Sequence, residues 1–422
     1  METKSVNSIH KKDLYNLPDG WKLKKLGNLG KVSSGTTPFR EKHDEYFANG
    51  TIHWVKTTDL NNSTIFFTEE KVTVRALNET SLRIYQPGTL LVAMYGGFNQ
   101  IGRTGLLGVE ATINQALSAL QCNIEIALPE YVLAWLNGNV KAWRNFAGSS
   151  RKDPNITSKD INDFPVNLPP LPQQRKIAAI LSTWDEAIQT ADQLLKAKKE
   201  RKRGLMQQLL TGQKRLPGFA GEWREVLFND ILREVKRPVK WNDDEVYHLL
   251  SVRRRSGGVF YRESLPGREI LTQNLRTAKT GEFLISKMQI VHGASGLVRE
   301  EHDGMKISGS YIAVVSQDRE LLDIEYFDWY SQLKSFYRLC YTSSYGVHIE
   351  KMTFDFTDFL KRKISIPPTI GEQQAIAAVL NAANEEIRLA TAEVEALKQQ
   401  KRGLMQELLT GKTLVNVQNE TA

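Results

Sequence analysis

The tract Lys202-Arg203-Gly204-Leu205-Met206-Gln207-Gln208-Leu209-Leu210-Thr211-Gly212 recurs as Lys401-Arg402-Gly403-Leu404-Met405-Gln406-Glu407-Leu408-Leu409-Thr410-Gly411, Gln208 against Glu407 being the one difference. At the same spacing, Ile177-Ala178-Ala179-Ile180-Leu181 faces Ile376-Ala377-Ala378-Val379-Leu380. About half of the positions in these ungapped stretches are identical, far beyond chance, so the chain contains one element twice. A proline pair precedes each copy, Pro169-Pro170 and Pro367-Pro368.

Both copies read as long helices. In the first, Ile177, Leu181, Trp184, Ile188, Ala191, Leu195, Leu205 and Leu209 share one register, interrupted by Lys198 and Lys202. In the second, Ile376, Leu380, Ala383, Ile387, Ala390, Val394, Leu397, Leu404 and Leu408 fall at alternating steps of four and three, with Lys401 in the skipped position. Such spacing is a heptad seam rather than a simple amphipathic stripe. Prolines suit the helix starts, and Gly212 and Gly411 suit the C-caps. A helix of roughly 38 residues would be about 57 Å long. A single stripe usually lies on its own domain's core, but two matched seams in one chain predict pairing with each other. The first helix is basic from Lys196 to Arg203, and the second carries Glu385, Glu386, Glu393, Glu395 and Glu407. Opposite charges favour an antiparallel coiled coil between the two over self-pairing.

The segments around the helices are of similar size, and their openings echo each other: Leu17-Pro18-Asp19-Gly20-Trp21 against Leu216-Pro217-Gly218-Phe219 running into Glu222-Trp223. Each continues in short alternating strands broken by glycine turns, such as Thr89 to Tyr95 before Gly96, and Phe283 to Val291 before Gly293. Helical stretches are expected at Glu130 to Phe146 and Tyr326 to Leu339. The predicted organisation is a first domain (1–168), a first spacer helix (169–212), a second domain (213–366), a second spacer helix (367–412) and a tail (413–422). The fold class is α+β, two similar mixed domains separated by two long helices in a pseudo-two-fold arrangement.

With its doubled motifs in this order, the chain resembles the specificity subunits of type I restriction-modification systems. The resemblance is carried by the spaced repeat, the Leu-Pro-x-Gly-Trp opening, and the Pro-Pro…Gln-Gln start of each helix. Gly88-Thr89-Leu90-Leu91-Val92, followed by Gly102-Arg103 and Asn114-Gln115-Ala116-Leu117, adds to it. It implies a non-catalytic, cytoplasmic subunit whose two target-recognition domains each read half of a split double-stranded DNA target, with the helix pair as the ruler. It also implies assembly with two methyltransferase subunits and two restriction/motor subunits in phage defence. Those partners would use S-adenosylmethionine, ATP and Mg²⁺, while this chain binds no cofactor and no metal of its own. In the second domain His292-Gly293-Ala294-Ser295-Gly296 stands near where Tyr95-Gly96-Gly97-Phe98-Asn99 would align, and Ser308-Gly309-Ser310-Tyr311 replaces Asn114 to Leu117.

A net charge of +8 suits a DNA ligand without requiring one. Candidate DNA contacts in the first domain are Asn99, Gln100 and Arg103 in a glycine-bearing loop, with Lys56, Arg151 and Lys152 for phosphates. In the second they are the run Arg253-Arg254-Arg255, then His292, Ser295 and Arg299. Cys122 and Cys340 are too far apart in sequence for a Cys-x-x-Cys zinc site and read as reduced thiols. The polar N-terminus reads as no signal peptide, and no apolar run reaches bilayer-spanning length. Two other readings compete. A self-contained DNA-modifying enzyme needs motifs that Asn167-Leu168-Pro169-Pro170, Asp230 with Glu234-Val235-Lys236, and Gly411-Lys412-Thr413 only approach. A coiled-coil scaffold without a DNA role leaves the doubled β-rich domains unexplained.

Overall fold

The computed structural model describes residues 17–96, 100–143 and 155–417 of the 422-residue chain. It divides into two compact units, one formed by Met1–Asp192 with Glu393–Ala422 and the other by Gln193–Ala392. The dividing points fall inside the two long helices, Leu171–Leu209 and Ile370–Thr410, so each helix starts in one unit and ends in the other.

In the first unit a five-stranded sheet has the spatial order Gly30–Ser34, Leu117–Cys122, Leu90–Ala93, Thr104–Leu107 and Thr64–Ile65. A three-stranded sheet (Lys71–Val72, Ile52–Val55, Ala111–Ile113) accompanies it, and Lys22–Lys25 pairs antiparallel with Pro165–Leu168. Leu90 to Ala93 and Thr104 to Leu107 are buried throughout, which corrects the alternating reading of Thr89 to Tyr95: its central residues are covered on both faces.

The second unit repeats this plan with one strand fewer: Leu232–Val235, Tyr311–Ser316, Phe283–Ser286, Ser295–Leu297. Arg224–Leu227 pairs with Lys363–Ile366 as Lys22–Lys25 does with Pro165–Leu168. Its second sheet has four strands, built on the long hairpin of Val246–Val252 and Val259–Pro266. The stretch expected as one helix from Tyr326 to Leu339 is two, Ile324–Tyr330 and Lys334–Thr342. The helix expected from Glu130 runs Pro129–Gly138, followed by a 3-10 turn at Val140–Ala142.

The long helices run antiparallel within each unit. In the first, Lys401 pairs with Asp185 and Lys398 lies 3.4 Å from Asp192. In the second, Lys198 reaches Glu386 at 2.7 Å and Lys202 reaches Asn384 at 2.8 Å. The expectation from net helix charge is therefore corrected in detail. In the first unit the acids sit on the first helix and the bases on the second, and the signs reverse in the second unit. Of the five glutamates named from the sequence, Glu386 makes the ion pairs to the opposite helix, with Lys198 and Arg201.

The seam residues divide by place. Ile177, Leu181 and Leu408 join the first unit's main core with Trp21, Tyr131, Trp135 and Phe164. Leu209, Ile376 and Leu380 join the second's with Phe228, Phe327 and Phe336. Leu195 and Val394 are buried, whereas Trp184, Ile188, Ile387, Leu397, Leu205 and Leu404 are half-covered. Lys202 fills its break in the seam by lying over the Trp329 ring at 4.8 Å, and desolvation lowers its pKa.

Candidate nucleic-acid interface

Hydrogen-bond register aligns the two units residue by residue. Val92 faces Thr104 and Leu120 lies opposite Leu90, while Ile285 faces Ser295 and Val314 lies opposite Phe283. Ser295 thus corresponds to Thr104 and Gly293 to Gly102, which corrects the alignment of the His292 segment with Tyr95 to Asn99. Ser308 to Tyr311 does take the place of Asn114 to Leu117. Gly102 and Gly293 both have positive φ (75° and 73°). A Cβ on Gly102 would overlap the Trp143 ring, and one on Gly293 would overlap Tyr337. Each unit therefore closes an aromatic over a left-handed glycine just before the same strand, a place that admits no side chain.

In the first unit an open groove of about 560 Å³ lies between Ser34–Thr37, Met94–Tyr95, Gln115 and Ile156–Ser158. Its walls are mainly hydroxyls and an exposed amide, groups that can donate and accept at base edges and sugar-phosphate oxygens. Gly35 lets one wall pass against the Asn114 carbonyl, where a Cβ would collide. The Gln115 backbone N–H donates to Thr37 Oγ1 at 3.3 Å, and Thr36 and Ser81 hydroxyls meet at 3.0 Å. Single-residue inspection missed these groups, because serine and threonine scattered over four loops carry no local signature.

Of the first domain's candidates, Asn99, Arg151 and Lys152 lie outside the described residues. Arg103 donates to Gln100 Oε1 at 2.9 Å and to the Leu60 carbonyl, so this pair braces the turn that carries it. Lys56 is largely covered, 17% exposed in its side chain, and held at 2.8 Å from Glu70. Partial burial works against its charge, but the Glu70 carboxylate outweighs it and raises the ammonium's pKa. A phosphate would have to displace that pair.

In the second unit the sequence candidates converge. Arg255 and Ser256 both adopt left-handed φ (58° and 53°), a strained turn for residues with side chains. Their amides hold it by donating to the His292 carbonyl (2.7 Å) and the Gly293 carbonyl (2.9 Å), while the Ser256 hydroxyl meets that of Tyr337. Glu350, unnoticed in the sequence, stands between Arg254 (3.0 Å) and His292 Nε2 (3.3 Å). Arg253 stacks over Phe260 at 3.9 Å. No ion pair to Arg255 is found among the described residues, and its side chain is exposed.

Arg299 and Ser295 line a cleft that Ser256 of the same turn also borders. Arg299 is tied to Glu325 at 2.9 Å and lies 3.6 Å from Asp328. Ser295 is buried beside them on that cleft of about 140 Å³, its Oγ without a hydrogen-bond partner among the described residues. Its counterpart Thr104 instead donates to Asn137 at 2.6 Å. Burial pushes the Asp328 carboxyl up to about 6 although Arg299 and the Leu297 amide oppose the shift. Among the described residues no cluster of three His, Cys, Asp or Glu side chains is placed to hold a metal, and no helix is long and apolar enough to cross a membrane.

Residues 18–198 match the family described as "Type I restriction modification DNA specificity domain". The specificity subunit of the type I restriction enzyme MjaIX from Methanocaldococcus jannaschii is 25% identical over 180 residues, 42% of this chain and 40% of that protein. The EcoR124I/EcoR124II specificity subunit from Escherichia coli is 25% identical over 193 residues, 44% of this chain and 46% of that protein. The matched stretch thus spans less than half the length of these curated relatives. The fold matches more widely. The crystal structure of the S subunit of a type I restriction-modification system from M. genitalium superposes with a TM-score of 0.57 at 12% identity, covering 94% of this chain and 97% of that one. A chain from a structure on complex assembly and conformational transition of the type I R-M system gives 0.59 at 17% identity, covering 94% and 100%.

Proposed function

Since the chain is a relative of the type I specificity subunits in both its first-half sequence and its fold, we propose that it is the DNA-reading specificity subunit of such a system. Each unit reads one half of a bipartite duplex target. One observation carries this reading: the two units share four main-sheet strands in matching order and register, yet Ser308 to Tyr311 stands where Asn114 to Leu117 does, and the surfaces built around that shared sheet differ. Hydroxyls and an amide line the first unit's groove. An arginine turn with His292 and Glu350 marks the second. A duplicated scaffold with diverged tips is what two different half-sites require.

The chain's positive charge supplies phosphate attraction, and no step of catalysis is assigned to it. Methyl transfer and DNA translocation belong to methyltransferase and restriction/motor subunits, two of each, which would bring S-adenosylmethionine, ATP and Mg²⁺. The paired helices, shared between the units, set the gap between half-sites. The system works in the cytoplasm against phage DNA.

The test is to map methylated adenines in genomic DNA from cells carrying the intact system, then to repeat it with residues 213–366 exchanged for those of another specificity subunit. A bipartite motif that changes in one half is expected. No methylated motif, or simultaneous change of both halves, would overturn the reading.

A further inference from the structure

The second unit carries a hairpin whose strands, Ser344–Tyr345 and Thr353–Phe354, pair antiparallel. Its base is anchored: Met352 and Phe354 are buried, and Phe354 packs on Phe359 at 5.2 Å. Its tip is the opposite. Val347 is 96% exposed, Tyr345 64% and Ile349 48%, three apolar residues at alternate positions with nothing over them. Gly346, at φ 139°, lets the two arms close at the neck of the tip, where a Cβ would come 3.1 Å from Met352 Cα.

The surroundings of this tip are cationic. Glu350 on the hairpin binds Arg254 of the strained turn and stands beside His292, which ties the tip to the arginine run. Lys351 and His348 are exposed on the hairpin itself, and Arg255 is exposed next to Arg254. The one carboxylate in the group, Glu350, is already paired with Arg254. An apolar tip ringed by bases complements a DNA groove, where cations meet phosphates and an apolar side chain meets a thymine methyl. A protein partner seated on an apolar patch would not need that ring of charge.

We propose that the hairpin tip, Val347 foremost with Tyr345, makes apolar contact with bases in one half of the DNA target, while Arg254, Arg255 and Lys351 hold the flanking phosphates. The proposal deepens the reading of the chain as a DNA-reading subunit and rests on it. It assigns the second unit's base contact to residues that a search for polar base-readers passes over. His292 and Glu350 become the groups that orient the arginine turn against the hairpin.

The test uses the full chain, alone and co-purified with methyltransferase subunits, selecting from a pool of randomised duplexes, with affinities then measured by fluorescence anisotropy. Val347→Ala, and the near-isosteric Val347→Thr as a check that shape and folding are kept, should relax the selected sequence at adjacent positions of one half only. Affinity for the best duplex should fall about 5- to 100-fold, the range of a lost base contact. Affinity for random duplex should stay within about twofold. Replacing thymine by uracil in the affected half should weaken the parent chain but not Val347→Ala. An unchanged selected sequence and affinity in both variants would overturn the proposal. So would an unchanged sequence combined with loss of the methyltransferase subunits, since the tip would then be a protein contact. If the parent chain selects no sequence in either form, the reading of the whole chain fails first and takes this one with it.

Discussion

Among single residues, the second unit's burial pattern has consequences that can be measured. Asp328 sits where its charge is desolvated, so its carboxyl titrates at about 6 in the folded protein against an ordinary value near 3.8. The folded state therefore holds this proton more tightly than the unfolded chain. Stability contributed by Asp328 is complete below the unfolded value, falls as pH rises from about 4 to 6, and is absent above. Two pKa units correspond to about 3 kcal/mol at most. Asp328→Asn, which keeps an oxygen for the Leu297 amide (3.2 Å), should flatten the decline in urea midpoint between pH 4 and 6. An unaltered pH profile would show that the carboxyl is not desolvated. Other single positions were readable only as types. Lys56 and Arg103 look like free cations in the sequence, yet one is paired with Glu70 and the other with Gln100 and Leu60.

Among the elements, the doubled Pro-Pro…Gln-Gln motif acquires a mechanism. Gln174 is buried, accepting the Leu128 amide at 2.8 Å and donating to the carbonyls of Pro169 (2.8 Å) and Ile126 (3.1 Å). Gln373 repeats this with the Asp323 amide (2.9 Å) and the Leu321 carbonyl (2.9 Å). Each glutamine clips the start of a long helix to the start of a helix in the adjoining domain, Pro129–Gly138 or Ile324–Tyr330. Gln373→Ala would leave a buried amide and carbonyl unmet, a loss of about 2–4 kcal/mol. Gln174→Ala should cost a similar amount in the first unit, both read from urea unfolding. A cost below about 0.5 kcal/mol would mean that water replaces the clip. The helices themselves were legible because their seam repeats along sequence. Their ends, which merge into the domain cores, were not, since a heptad register does not reveal which neighbour covers it.

For the whole molecule, each long helix belongs to both units, so the proposed function couples helix length to half-site spacing. Inserting one heptad near Asp192 and another near Glu393 keeps both seams in register and adds about 10 Å per helix. The methylated motif should keep both halves and gain about three base pairs of gap, at about 3.4 Å per base pair. A motif with an unchanged gap would show that the helices do not set the spacing.

The sequence alone determined the duplication, the α+β class, the long paired helices and the divergence of the two domain segments. These depend on periodicity and repetition, which are properties of order along the chain. Only the tertiary structure decided the rest: that Ser295 answers to Thr104, that Lys56 is already paired, and that Glu350 joins Arg254 to His292. It also decided that Val347 stands bare on a hairpin tip. Such facts depend on which segments meet across long loops, and neither spacing nor composition encodes the partner a side chain finds there.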